Sequence, residues 1–204
     1  MQKIPTLYER VYEGHKIVGI KPVLHEGITQ EMLNQAIPTE KFDGSCCCVL
    51  DGVFYKRFDA KRGRKIPEGA IPCCPPDPIT GHHPHWVKVD ISEPSPEDRW
   101  FVEAYKLTLC YFNSKPPLPD GTYEAIGKHF NGNPYHFDDT DILIPHGKHV
   151  LDISWDVSCA FDDIKQYLSN HYIEGIVFWL DGKPLCKIKR TDFGFEWNGK
   201  GKRG

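Results

Sequence analysis

Apolar positions in the first sixty residues come in short runs, not in long helical stripes. From Ile4 to Leu24 they are interrupted at Gly14 and Gly19, which predicts one or two strands. Thr29 to Ala36 reads as a short helix, with Thr29 as N-cap and a stop before Pro38. Ser45 to Leu50 and Val53 to Phe58 read as two strands joined by Asp51-Gly52, a pair suited to a tight hairpin turn. Residues 66–84 are rich in Pro, Cys and His and long for a loop, so an ordered functional loop or a surface excursion is expected there. Trp86 to Val89 is a further strand. Pro96 to Cys110 is the strongest helix, with Ser95 as N-cap and Glu97 and Asp98 in the first turn.

Beyond the turn Pro119-Asp120-Gly121, Thr122 to Ile126 is a buried strand that carries Glu124 in its middle. Asp141 to Pro145 and His149 to Ser154 are two more strands. Ser158 to Asn170 is a helix with Phe161, Ile164 and Leu168 on one side. Ile173 to Leu180 and Leu185 to Lys189 form a hairpin around Asp181-Gly182, and Gly194 to Gly204 is a polar, glycine-rich tail. Short strands joined by Asp-Gly turns, without alternating strand–helix–strand units, predict an α+β fold with antiparallel sheets.

Composition adds mainly exclusions. The chain has 204 residues, 40% of them hydrophobic and 26% charged, enough for one good-sized core. No apolar run approaches the roughly 20 residues of a membrane span. Met1 to Pro5 lacks the apolar block of a secretory signal, so a cytoplasmic protein is expected. Five of the eight cysteines (Cys46, Cys47, Cys48, Cys73 and Cys74) adjoin another cysteine in sequence. Neighbours on a strand point to opposite faces, so reduced thiols acting as small core residues fit better than a disulfide framework. The adjacent Cys and His residues of the 66–85 loop match no standard zinc spacing. Net charge is −3, but Lys56, Arg57, Lys61, Arg62, Arg64 and Lys65 are clustered, as are Lys183, Lys187, Lys189 and Arg190. Such patches are either solvated faces or phosphate sites.

Charges placed in apolar strands alter this picture. Glu124 interrupts one strand, Glu174 heads another, and Lys187 and Lys189 share a face of a third. An unpaired charge there costs several kcal/mol, so partners must converge on it. One solution is ordinary pairing between neighbouring strands, for example Glu174 with Lys187. Another uses Lys41, which sits between Pro38 and the strand from Ser45. A lysine can attack a nucleoside triphosphate at its α-phosphorus if nearby cations lower its pKa. Lys187 and Lys189 would supply that field and neutralise charge growing on the phosphate. Glu124 and Glu174 would hold a divalent metal or ribose hydroxyls.

Lys41-Phe42-Asp43-Gly44 resembles the K-x-D-G signature of covalent nucleotidyltransferases, the polynucleotide ligases and mRNA capping enzymes. Tyr123-Glu124-Ala125-Ile126-Gly127 is similar to the third motif of that superfamily, Glu174-Gly175-Ile176-Val177 to the fourth, and Lys187-Ile188-Lys189 to the fifth, in the same order. The serine and cysteines after Gly44 and the loop Pro76-Asp77-Pro78-Ile79-Thr80-Gly81-His82-His83-Pro84 resemble a group of small ATP-dependent RNA ligases from animals, bacteria and viruses. The resemblance implies an antiparallel nucleotidyltransferase (ATP-grasp-like ligase) domain over residues 1–193, with flanking helices, a central nucleotide cleft and no C-terminal OB-fold domain.

It also implies ATP as nucleotide, AMP carried covalently on Lys41, Mg²⁺ or Mn²⁺, and RNA repair by joining 5′-phosphate to 3′-hydroxyl ends. Glu174, Lys187 and Lys189 would be catalytic with Lys41. Glu40, Asp43, Glu124 and Val177 would contact the nucleotide, and Glu124 and Glu174 the metal. DNA ligases and capping enzymes usually carry arginine five residues after the lysine, where this chain has Cys46. The ribose contact therefore passes to Arg57 or Arg62, and His146 is the candidate aromatic partner for adenine. The alternatives are the catalytic domain of a DNA ligase or guanylyltransferase that needs a partner domain, or a silent RNA-end-binding module.

Overall fold

The computed structural model describes residues 3–60, 64–78, 80–153 and 160–198. Within them the order is β1 (Tyr8–Glu13), β2 (Lys16–Leu24), α1 (Gln30–Gln35), β3 (Ile37–Lys41), β4 (Ser45–Leu50), β5 (Val53–Ala60), β6 (Ile71–Pro72), β7 (His83–Lys88), α2 (Arg99–Tyr111), β8 (Gly121–Gly127), β9 (Asp141–Pro145), α3 (Ala160–Asn170), β10 (Gly175–Leu180) and β11 (Lys183–Lys189), then a 3-10 turn over Arg190–Phe193. Every ladder between these strands is antiparallel. With three helices described, this is the α+β class that the short strand runs predict. No helix among the described residues is long and apolar enough to cross a membrane.

The described residues divide into two compact units: a continuous one, residues 43–146, and a discontinuous one, residues 3–42 with 147–198.

In the discontinuous unit β1 and β2 form a hairpin, and β11-β10-β3 form a three-stranded sheet. Alternation along β10 and β11 sends Ile176, Phe178, Cys186 and Ile188 into a core with Leu7, Leu33, Ile164 and Leu168. Thr29 caps α1 as expected, its Oγ1 accepting the N–H of Met32 at 3.2 Å. The β10–β11 turn places Asp181 and Gly182 at φ 49° and 72°, as an Asp-Gly hairpin requires. At the other end Gly175 has no room for a side chain, since a Cβ there would lie 2.1 Å from the Ile188 carbonyl oxygen.

In the continuous unit the sheet order is β6-β7-β5-β4-β8-β9. Cys47, Val49, Tyr123, Ala125 and Leu143 pack with Val102, Ala104 and Tyr105 of α2. Thr108 fastens that helix to β9: its Oγ1 donates to Ala104 O at 2.7 Å and accepts from Leu143 N at 2.9 Å. Cys46, Glu124 and Thr122 fall on the other face by the same alternation. The cysteines among the described residues are free thiols, and Cys47, Cys48 and Cys186 are fully buried.

Several boundaries differ from the sequence reading. Lys41, placed by sequence only between Pro38 and the next strand, ends a strand of its own, β3. Helix α2 starts at Arg99, because Ser95 caps a preceding turn: its hydroxyl donates to Asp98 Oδ2 at 2.8 Å, and Asp98 pairs with Lys56 at 2.5 Å. Residues 149–153 make one bridge, Thr39 to Val150, and no strand. The 66–84 loop contains β6, which pairs with β7. The start of the helix expected from Ser158 and the end of the tail lie outside the described residues.

Candidate active site

In the discontinuous unit, register builds the first cluster. Gly175 of β10 pairs with Lys189 on one side and with Lys41 on the other, and Val177 pairs with Lys187 and Thr39. Directly opposed residues share a face, so Lys41, Lys187, Lys189 and Val177 stand on the face opposite Ile176 and Ile188. Gly175, at the centre of the first row, leaves the space between Lys41 and Lys189 without a side chain.

Glu174 fills the role of counter-ion. It is 2% exposed, and its two carboxylate oxygens accept separate charge-assisted hydrogen bonds from Lys41 Nζ and Lys189 Nζ. Its own carbonyl accepts from Arg190 N at 2.9 Å, which fixes the backbone where the chain enters β10. Lys41 Nζ also donates to the carbonyl of Phe42 at 3.3 Å. The pairing anticipated between Glu174 and Lys187 is therefore replaced by pairing with Lys41 and Lys189. Lys187 lies nearby, its pKa pushed down to about 8 by burial first and then by the Lys41 and Lys189 ammonium groups. Three lysines around one carboxylate leave this face cationic, the electrostatics of a polyphosphate site.

Neighbouring groups hold the cluster. Asp192 accepts from Lys189 N at 2.9 Å and lies 3.9 Å from Arg10. Glu40 pairs with His149 at 3.0 Å, and Phe42 meets the His149 ring edge-on at 5.5 Å. Burial pushes the Glu40 carboxyl up, against the opposing pull of His149.

The continuous unit holds the second cluster. Glu124 of β8 accepts from Gly44 N at 3.0 Å through Oε1 and meets His146 Nε2 at 2.9 Å through Oε2. The other ring nitrogen of His146 lies 2.9 Å from Thr122 Oγ1. Cys46 is the cross-strand partner of Glu124. Among the described residues, Cys46, Glu124 and His146 are the one group of three potential metal ligands, their donor atoms all within 4.8 Å of one another. Burial and the Glu124 carboxylate raise the Cys46 thiol well above its ordinary range.

Asp43 and Gly44 are tied down by two residues that the sequence did not single out. Asn131 Nδ2 donates to Asp43 Oδ1 at 2.8 Å and to Gly44 O at 2.7 Å, and Asp43 N donates to Tyr135 Oη at 2.6 Å. The Asn131-Gly132-Asn133 turn was the available signal, with φ of 45°, 76° and 54°. Gly44 itself is required, since a Cβ would lie 2.1 Å from Ala125 O. Arg57 is engaged by Asp59 at 2.8 Å, and Arg62 lies outside the described residues.

The residues singled out in sequence thus fall into two groups: Glu40, Lys41, Glu174, Val177, Lys187 and Lys189 in one unit, and Asp43, Arg57, Glu124 and His146 in the other. The family model for RNA ligase 1 matches residues 103–203, a stretch that includes Glu124, Glu174, Lys187 and Lys189. Curated relatives share the description. RNA ligase 1 of Pongo abelii is 23% identical over 93% of this chain and 76% of its own length. RNA ligase 1 of Danio rerio is 24% identical over 96% and 82%, and that of Rattus norvegicus 24% over 93% and 76%.

Proposed function

Because the chain belongs to an RNA ligase-like nucleotidyltransferase family, we propose that it is an ATP-dependent RNA ligase whose nucleophile is Lys41, acting within a nucleotidyltransferase fold. The observation that carries the reading is the buried Glu174 carboxylate shared by Lys41 and Lys189, with Lys187 on the same sheet face.

Lys41 Nζ, deprotonated, attacks the α-phosphorus of ATP. The N–P bond forms as the bond to the β-phosphate oxygen breaks and pyrophosphate departs. Glu174 holds the attacking nitrogen in position, and the Lys187 and Lys189 ammonium groups balance the negative charge that grows on the α-phosphate. An RNA 5′-phosphate oxygen then takes the AMP, and Lys41 regains a proton. Finally a 3′-hydroxyl displaces AMP to form the phosphodiester. Val177 packs against adenine, and the backbone at Glu40 reads its edge.

A divalent ion, Mg²⁺ or Mn²⁺, supplies charge neutralisation on the triphosphate when bound. Glu174 and Glu124 are hard oxygen donors of the right type. Glu174 has both oxygens engaged by ammonium groups, so it fits a cation only once Lys41 has given up its charge.

Incubation with α-labelled ATP and Mg²⁺ or Mn²⁺, followed by denaturing electrophoresis, tests the reading. Label is expected to stay on the chain and to vanish in Lys41→Ala. No covalent label from any nucleotide leaves an RNA-end-binding module as the better account, and preference for GTP favours a guanylyltransferase.

A further inference from the structure

Beyond the ligase reading, whose expected nucleotide contacts also include Glu124 and His146, we propose that in the nucleotide-free chain Cys46, Glu124 and His146 form a binding site for a thiophilic divalent cation of the Zn²⁺ class. Three adjacent strands deliver one donor each: Cys46 from β4, Glu124 from β8, and His146 directly after β9. A thiolate, an imidazole and a carboxylate are together too soft for Mg²⁺ and suit Zn²⁺ or Co²⁺. Three protein ligands with a fourth position left over is the pattern of open zinc sites.

The separations are of the right size. Glu124 Oε2 and His146 Nε2 stand 2.9 Å apart, and the Cys46 sulfur lies within 4.8 Å of a donor atom on each of these two residues. Tetrahedral bonds of about 2.0–2.3 Å place donor atoms roughly 3.3–3.6 Å apart, so from separations of up to 4.8 Å the donors close by about 1.5 Å at most.

The outer contacts point the same way. Thr122 Oγ1 lies 2.9 Å from His146 Nδ1, so once a cation takes the Nε2 lone pair the ring proton sits on Nδ1 and has this hydroxyl to donate to. Gly44 N–H holds Glu124 Oε1 and leaves Oε2 facing the imidazole. Coordination replaces the Nε2 contact with Glu124 by bonds from both atoms to the metal. The Cys46 S–H proton is released to buffer as the S–metal bond forms.

Titration of the purified chain with Co²⁺ tests the site. One saturable ion per chain is expected, with a thiolate-to-metal charge-transfer band in the near ultraviolet that Zn²⁺ abolishes. The band should be lost in C46S and retained in C73S and C74S. Affinity should fall at least about tenfold in H146A, and about tenfold to a hundredfold in T122V, where only the outer contact is removed. Far-ultraviolet circular dichroism verifies that each variant is folded, and E124Q, which keeps the shape of the side chain, is the second ligand variant. Absence of the band in the wild type overturns the proposal, as does its persistence in C46S or its loss in C73S. Because the readout needs no nucleotide, its failure leaves the adenylylation test untouched.

Discussion

On the three-stranded sheet, the row Lys41–Gly175–Lys189 gathers cations around one buried carboxylate. On the six-stranded sheet, the row Cys46–Glu124 gathers a thiol, a carboxylate and the His146 imidazole. Both rows lie on antiparallel strands whose alternate residues feed a core, so the pleat frees the same kind of surface in each unit. The neighbours make the difference. Glu174 is outnumbered by lysines, which suits a polyanion. Glu124 faces an imidazole and a protonated thiol, a donor set that suits a cation. A glutamate inside an apolar strand has no intrinsic role; its cross-strand partners assign one.

The strongest way to break this comparison is Glu174→Ala. It leaves Lys41 and Lys189 without their shared counter-ion, and loss of one partner from a buried pair costs about 3–5 kcal/mol. Denaturant unfolding should show that loss, and adenylylation should disappear with it. Glu124→Ala removes hydrogen bonds to Gly44 N–H and to the His146 imidazole. The same unfolding measurement should show only about 1–3 kcal/mol. Equal losses in the two variants would erase the distinction drawn between the sheets.

The smallest effect sharpens it through pH. With its pKa near 8, Lys187 loses its charge as pH rises through that value, and with it the help proposed for the α-phosphate. Labelling rates should therefore decline on the alkaline side, and Lys187→Arg should move that decline to higher pH. Stability runs the other way. The unfolded lysine holds its proton up to its ordinary 10.5, while the folded one releases it from about 8, so the folded state gains on the unfolded one across that window. Lys187→Met should remove this rise in the pH dependence of unfolding.

Sequence exposed the elements whose signals are local. Asp141 to Pro145 matches β9 end to end, and both Asp-Gly turns are where short-range chemistry puts them. β3 was hidden, because Ile37-Pro38-Thr39-Glu40-Lys41 has a proline and two charges in five positions. It is a strand because β10 pairs with it from far along the chain. The partners of Glu174 were hidden for a related reason. Register sets Lys187 opposite Val177 and Lys189 opposite Gly175, so Glu174 reaches the second lysine and not the first. Asn131 and Tyr135 carry no mark in sequence beyond a turn, since their value lies in contacts with Asp43 and Gly44 some ninety positions earlier.

The pairing of β3 with β10 has a consequence during synthesis. Lys41 and Glu174 are 133 residues apart in the chain. At about 5–20 residues per second, Lys41 leaves the ribosome roughly 7–27 s before its counter-ion. The stretch 43–146 is complete in the meantime, whereas β3 waits as an unpaired edge. A nascent chain stopped before Gly175 carries Lys41 but not the sheet that orients it, so the chemistry proposed for Lys41 switches on only when the last hairpin arrives.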